Sequence, residues 1–157
     1  MSFLTSLDKS VLPKNFGLVH KKDKQEINLR SFYISKDYVD PFAKSLSLSS
    51  QLKKIDIRRT QLTEEHAAKL FANCPDSLEE LNAGENPEMG PHPVNVLCKQ
   101  VLTDGAFSLH TVLLENCSIA DQGASYLSQA LTQDKCRLRF LDLSQNFIGP
   151  EGAYYIS

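Results

Sequence analysis

The sequence predicts an α/β solenoid, with a parallel sheet along one side and helices along the other. Three observations predict it. An eleven-residue pattern recurs at starts near 24, 52, 78, 109 and 138. Helical periodicity follows each copy. The starts are 28, 26, 31 and 29 residues apart, the length of one strand–turn–helix unit that must stack on its neighbours to bury its apolar face.

The copies read LKKIDIRRTQL from Leu52, LEELNAGENPE from Leu78, LHTVLLENCSI from Leu109 and LRFLDLSQNFI from Leu138. A more worn copy, KQEINLRSFYI, starts at Lys24. Positions one, four and six are apolar, and position eleven usually is. Strand side chains alternate, so positions four and six share a face. Those pairs are Ile27/Leu29, Ile55/Ile57, Leu81/Ala83, Val112/Leu114 and Leu141/Leu143. Each full-sized member contributes roughly 1.5–3 kcal/mol when buried. At position nine the chain leaves the strand. Asn86 and Asn146 can bond backbone there with their amides, Thr60 with a hydroxyl and Cys117 weakly. Phe32 cannot.

This pattern resembles the leucine-rich repeat, and its length is similar to that of the ribonuclease-inhibitor-like class. The resemblance covers about residues 24–157. It implies a right-handed β-α superhelix with the sheet on the concave face and the helices on the convex face. It also implies a ladder of buried polar side chains at position nine: Thr60, Asn86, Cys117 and Asn146.

The helices follow in order. In the first copy Val39, Phe42, Ser45 and Leu46 share a face, with Asp40-Pro41 as cap and first helical residue. In the second, Ala67, Leu70, Asn73 and Cys74 do, capped by Thr63, with Glu64 and Glu65 favouring the N-terminus. The third copy carries three prolines in Asn86–Pro93, so helix is expected only from about Val94 through Leu97 and Val101. That segment is the candidate specialised loop, set against simple drift in a solenoid that tolerates insertions. In the fourth, Ala124, Leu127, Ala130 and Leu131 share a face, with Asp121 as cap. The fifth has Pro150 near the helix start, then Ala153 and Ile156. Phe3, Leu4, Leu7 and Val11 stand at helical spacing, so residues 1–23 are expected to cap the first repeat. The last repeat is incomplete at Ser157, and further repeats or a partner are expected beyond it.

The 157 residues carry 17 Lys+Arg and 19 Asp+Glu, a net charge of −2. Residues 1–60 hold 12 and 6, and residues 61–157 hold 5 and 13. The molecule is therefore charge-polarised, which can orient a partner, while the average charge argues against nucleic acid as the ligand. No apolar run reaches the roughly 18 residues of a membrane span, and no secretory signal is visible, so the expected location is cytoplasmic. Cys74, Cys98, Cys117 and Cys136 match neither a metal pair nor a disulfide framework. Gly-rich phosphate loops, HExxH and nucleophile motifs are missing. No catalytic residue, metal or cofactor is expected.

Positions three, five and seven of each strand face the concave side. Among them, Arg30, Lys54, Asp56, Arg58, Glu80, Asn82, Leu113, Glu115, Phe140 and Asp142 are the candidate partner-binding residues. Arg30 and Arg58 start basic, Glu115 lies in an acidic region, and Leu113 and Phe140 offer apolar anchors. Arg and aromatic anchors suit protein recognition. Five strands at about 4.8 Å spacing span roughly 19 Å, small against a standard interface. The expected function is a non-catalytic protein-interaction scaffold. The resemblance leaves alternatives: a small-GTPase regulator similar to Ran-activating proteins, the sensor array of a larger immune-type receptor, or a cytoskeletal or ciliary scaffold.

Overall fold

The computed structural model describes residues 25–102 and 107–157. Its strands are β1 (Glu26–Asn28), β2 (Lys54–Asp56), β3 (Glu80–Asn82), β4 (Thr111–Leu113) and β5 (Phe140–Asp142). They form one parallel sheet in the order β1-β2-β3-β4-β5. The helices α1 (Lys36–Ser47), α2 (Glu64–Phe71), α3 (His92–Leu97), α4 (Ala120–Leu131) and α5 (Pro150–Ile156) alternate with them, each packed on the next. A π-helical turn, Cys98–Leu102, continues α3. This is an α/β leucine-rich-repeat solenoid. The capping segment expected over 1–23 lies outside the described residues.

Every strand is the same three positions of the pattern. The paired register joins Ile27, Ile55, Leu81, Val112 and Leu141 in one row. Position six forms the next inward row. Both are buried through the first four copies, but Leu141 and Leu143 are only half-buried, since among the described residues no strand lies beyond β5.

The strands end early for a local reason. The residue at position eight has positive φ in all five copies: Ser31, Arg59, Glu85, Asn116 and Gln145, at 51–61°. A left-handed residue there costs roughly 1–2 kcal/mol. It turns position nine inward, where Thr60, Asn86, Cys117 and Asn146 are all buried. Asn86 Oδ1 accepts the N–H groups of Thr60 and Leu62, both at 3.1 Å. Asn86 Nδ2 donates to Ile57 O at 3.0 Å and to Ala83 O at 2.9 Å. Asn146 Oδ1 accepts from Cys117 N at 2.7 Å and Ile119 N at 3.3 Å, and its Nδ2 donates to Leu114 O at 2.6 Å. Cys117 Sγ donates to Ala83 O at 3.2 Å. Thr60 Oγ1 donates within its own copy, to Ile57 O at 2.7 Å, and does not reach the copy before.

Thr63 caps α2 as expected, accepting from His66 N at 3.4 Å. Several other expectations need correction. Asp40 and Pro41 do not start α1. It begins at Lys36 after Ser35, and Pro41 lies inside it. One proline removes one helical donor, and burial of Val39, Phe42 and Leu46 against the sheet outweighs that loss. Asp121 is not the cap of α4, which starts one residue earlier, after Ile119. Its carboxylate instead accepts the N–H of Gly149 at 2.6 Å, at the start of the next helix. Ser45 and Asn73 are only half-buried, and Leu131, Ala153 and Ile156 are exposed, the last three at the uncovered end of the stack.

The Pro-rich segment is not a free loop. Helix starts at His92, two residues earlier than expected, because Pro93 at the second helical position has no donor to satisfy there. Position eleven is Glu88, which is exposed, and Met89 takes its place in the core. The chain therefore gains one residue after Asn86 without losing the buried side chain. Gly90 (φ +67°) makes the return turn, and its N–H reaches Cys117 O at 3.0 Å. Glu64 Oε1 in α2 accepts the His92 N–H at 3.3 Å.

Candidate protein-interaction face

The sheet register places the candidate residues in rows across the strands. Glu26, Lys54, Glu80, Thr111 and Phe140 form one row. Asn28, Asp56, Asn82, Leu113 and Asp142 form the second. Backbone bonds align Arg30, Arg58, Gly84, Glu115 and Ser144 as the third. All ten candidate residues thus lie on one face of one sheet.

Their exposures differ. Arg30, Lys54 and Phe140 are exposed; Asp56, Arg58, Glu80, Leu113, Glu115 and Asp142 are half-buried. Asn82, in the central strand, retains 7% of its surface and offers little to a partner.

Most of the charge on this face is internally paired. Lys54 Nζ lies 3.2 Å from Glu80 Oε2 on the adjacent strand. Arg58 grips Asp56 with two bonds, Nε to Oδ1 at 3.0 Å and Nη2 to Oδ2 at 2.6 Å. Burial pushes the Asp56 carboxyl up, but the Arg58 hydrogen bonds and charge outweigh it and hold it below its ordinary range. Arg58 is therefore neutralised, and the basic start of the face rests on Arg30. Among the described residues, Arg30 has no hydrogen-bonded or ion-paired side-chain partner. Glu115 accepts from Gln145 Nε2 at 3.0 Å.

A second polar row runs along this face. Asn28, Asp56, Asn82 and Asp142 each accept, through Oδ1, the N–H two residues on: Arg30 at 3.1 Å, Arg58 at 3.2 Å, Gly84 at 3.3 Å and Ser144 at 2.9 Å. The Ser144 hydroxyl adds a bond to Asp142 at 2.6 Å. These turns close the strands, as short Asx side chains do. Leu113 interrupts the row with a side chain that cannot accept.

Sequence reasoning did not single out the outward row at position eight. There Arg59 Nε lies 2.7 Å from Glu85 Oε2. Opposite charges at the same position of adjacent copies were the available signal. Lys53 and Glu79, at position two, pair in the same way at 2.9 Å. Among the described residues no three His, Cys, Asp or Glu side chains are grouped to hold a metal ion, and no helix is long and apolar enough to cross a membrane.

No protein-family model matches the sequence. Over 99 residues, 62% of this chain, it is 37% identical to the human NACHT, LRR and PYD domains-containing protein 7, and it spans 10% of that protein's length. Two solved structures share the fold. The tropomodulin C-terminal domain of Caenorhabditis elegans superposes with a TM-score of 0.69 at 15% identity, covering 92% of this chain and 89% of that one. The actin-binding site 2 of leiomodin-1 gives a TM-score of 0.75 at 14% identity, covering 94% and 84%. The repeats, the parallel sheet and these likenesses agree: the chain is a leucine-rich-repeat-type protein.

Proposed function

We propose that the chain is a non-catalytic interaction module that binds a protein partner, in the cytoplasm, through the concave face of the sheet. The observation that carries this reading is the pair of apolar residues on that face. Leu113 stands in a row otherwise made of Asn and Asp, and Phe140 is 57% exposed. With Arg30 at the other end, bound by no side-chain hydrogen bond or ion pair among the described residues, the face has two apolar anchors and one available guanidinium beside internally paired charges. Buried aromatic and Arg anchors dominate the energy of protein interfaces, and surrounding pairs exclude water.

Affinity capture with purified chain tests it. Wild type and Lys69→Glu, altered on the helical side, should retain the same protein. Arg30→Glu combined with Leu113→Arg should lose it. Retention by all three would set the binding surface elsewhere. Actin is the first defined partner to try, since leiomodin-1's actin-binding site 2 shares this fold. A second reading, favoured by the sequence likeness to a multidomain protein, is that this array serves as the repeat section of a larger chain. An antibody detecting a native product of about 157 residues and nothing larger would count against it.

A further inference from the structure

We propose that a cleft at the amino-terminal edge of the sheet, separate from the concave face, is a docking site for an acidic protein segment held by Arg137 and Arg139. The cleft measures about 690 Å³ and is walled by Glu79, Ser108, His110, Cys136, Arg137 and Arg139. Its floor is the position-two row of the repeats. Glu79 N donates to Lys53 O at 2.8 Å, His110 N to Glu79 O at 3.0 Å and Arg139 N to His110 O at 2.8 Å, so Lys53, Glu79, His110 and Arg139 stand side by side.

The charges along that row are uneven. Lys53 holds the Glu79 carboxylate at 2.9 Å and neutralises that end. His110 follows, with Nδ1 3.0 Å from Thr111 Oγ1. At the other end Arg139 and Arg137 are exposed and have no hydrogen-bonded or ion-paired side-chain partner among the described residues. They flank half-buried Leu138, and alternate residues of an extended segment point to the same side. Residues 61–157 hold only five Lys+Arg against thirteen Asp+Glu. Two of those five thus stand together over one cleft in the acidic part of the chain, unpaired among the described residues.

Guanidinium groups bind carboxylates through paired hydrogen bonds, and two on one side suit successive acidic side chains. The cleft fits a chain better than a single ion. Its volume lies in the range that holds ligands much larger than one anion. From Glu79 to Arg139 it crosses two strand spacings, roughly 10 Å. The Ser108 hydroxyl and the His110 imidazole supply further polar contacts along its length.

The test is fluorescence anisotropy of a labelled hexaglutamate peptide with the whole chain at low ionic strength. Binding should weaken by at least about tenfold in Arg137→Glu/Arg139→Glu, less in Arg137→Gln, and should fade at about 0.5 M salt. Arg30→Glu on the concave face should bind within about twofold of wild type, so this proposal and that of the concave face fail separately. Both arginines are exposed, and an unchanged circular dichroism spectrum confirms folding. No binding, equal binding by the double Glu variant, or displacement by inorganic phosphate at equal anion concentration would overturn the proposal; the last would indicate a small-anion site.

Discussion

Asn86 and Asn146 lie two repeats apart and make the same hydrogen bonds. Each Oδ1 receives two N–H groups from the copy before it, and each Nδ2 returns a bond to that copy's position-six carbonyl. The second N–H of each amide goes to its own copy, to Ala83 O in one case and Leu143 O in the other, with Gly84 O and Ser144 O as longer, shared contacts. The two side chains satisfy buried backbone that the short strands leave unpaired. Replacing Asn86 with Ala should destabilise by about 3 kcal/mol, since several buried groups lose their partners. Asn146→Ala should cost about 1–3 kcal/mol, and Cys117→Ala less, because a thiol is a weak donor. Urea midpoints measure all three. An unchanged midpoint for Asn86→Ala would contradict this role.

How far these features were legible depended on whether they were written as side-chain type or as backbone conformation. The strand triplets and the inward pairs followed from alternation alone, and Asn86 and Asn146 followed from residue chemistry. The extra length after Asn86 was legible in the 31-residue spacing, but not that Met89 takes the buried place of Glu88, which depends on how the loop folds. The left-handed residues at position eight include Arg59 and Glu85, types that do not announce that conformation. Asp121 serves the next repeat instead of its own helix: its carboxylate accepts from Gly149, a contact that local capping rules do not reach. On the concave face the rows were legible from period two. The bidentate Asp56–Arg58 pair was not, since residues two apart on a strand share a face without any rule that they bond.

Gly123 packs where a side chain will not fit. A Cβ there would overlap Cγ2 of Ile119, which is fully buried. Gly123→Ala should cost about 1–3 kcal/mol by forced repacking. Ile119→Ala removes the overlapping methyl, so the double variant should lose less than the sum of the two single ones. A thermodynamic cycle reads the difference. Strict additivity would show that the two residues do not share the contact.

The thiols should divide by burial. Desolvation pushes Cys74 and Cys98 up to about 12 and Cys117 to about 11. Since the thiolate is the reactive form, all three should resist a thiol reagent in the native protein at pH 8. Half-buried Cys136 should react first. Counting labels by mass spectrometry before and after urea checks this. Rapid native labelling of Cys74 would contradict its place in the core.

Acid should weaken the fold in a defined window. The Asp56 carboxyl is lowered from 3.8, with burial opposed and outweighed by its bonds to Arg58, and Asp142 is lowered by the Ser144 hydroxyl and N–H. A carboxyl depressed in the fold stabilises above its unfolded value, and that contribution is lost as pH falls through the folded value. Stability should therefore hold down to about pH 4 and decline below it. Arg58→Gln should reduce the acid-dependent part of the decline. An identical pH profile in that variant would remove Asp56–Arg58 from the explanation.

The same pair decides how the binding face must be probed. Arg58→Glu would break the bidentate bond to Asp56 and set two carboxylates together, disturbing the sheet as well as any partner, whereas Arg30→Glu breaks no side-chain hydrogen bond among the described residues and removes only a longer-range attraction to Asp56 and Glu85. The most direct measurement is hydrogen–deuterium exchange of the chain with and without its captured partner. The account predicts new protection over 28–30, 82–84, 113–115 and 142–144, the strand ends of the concave face, with α1, α2 and α4 unchanged. Protection confined to those helices, with the strand ends exchanging as in the free chain, would contradict it.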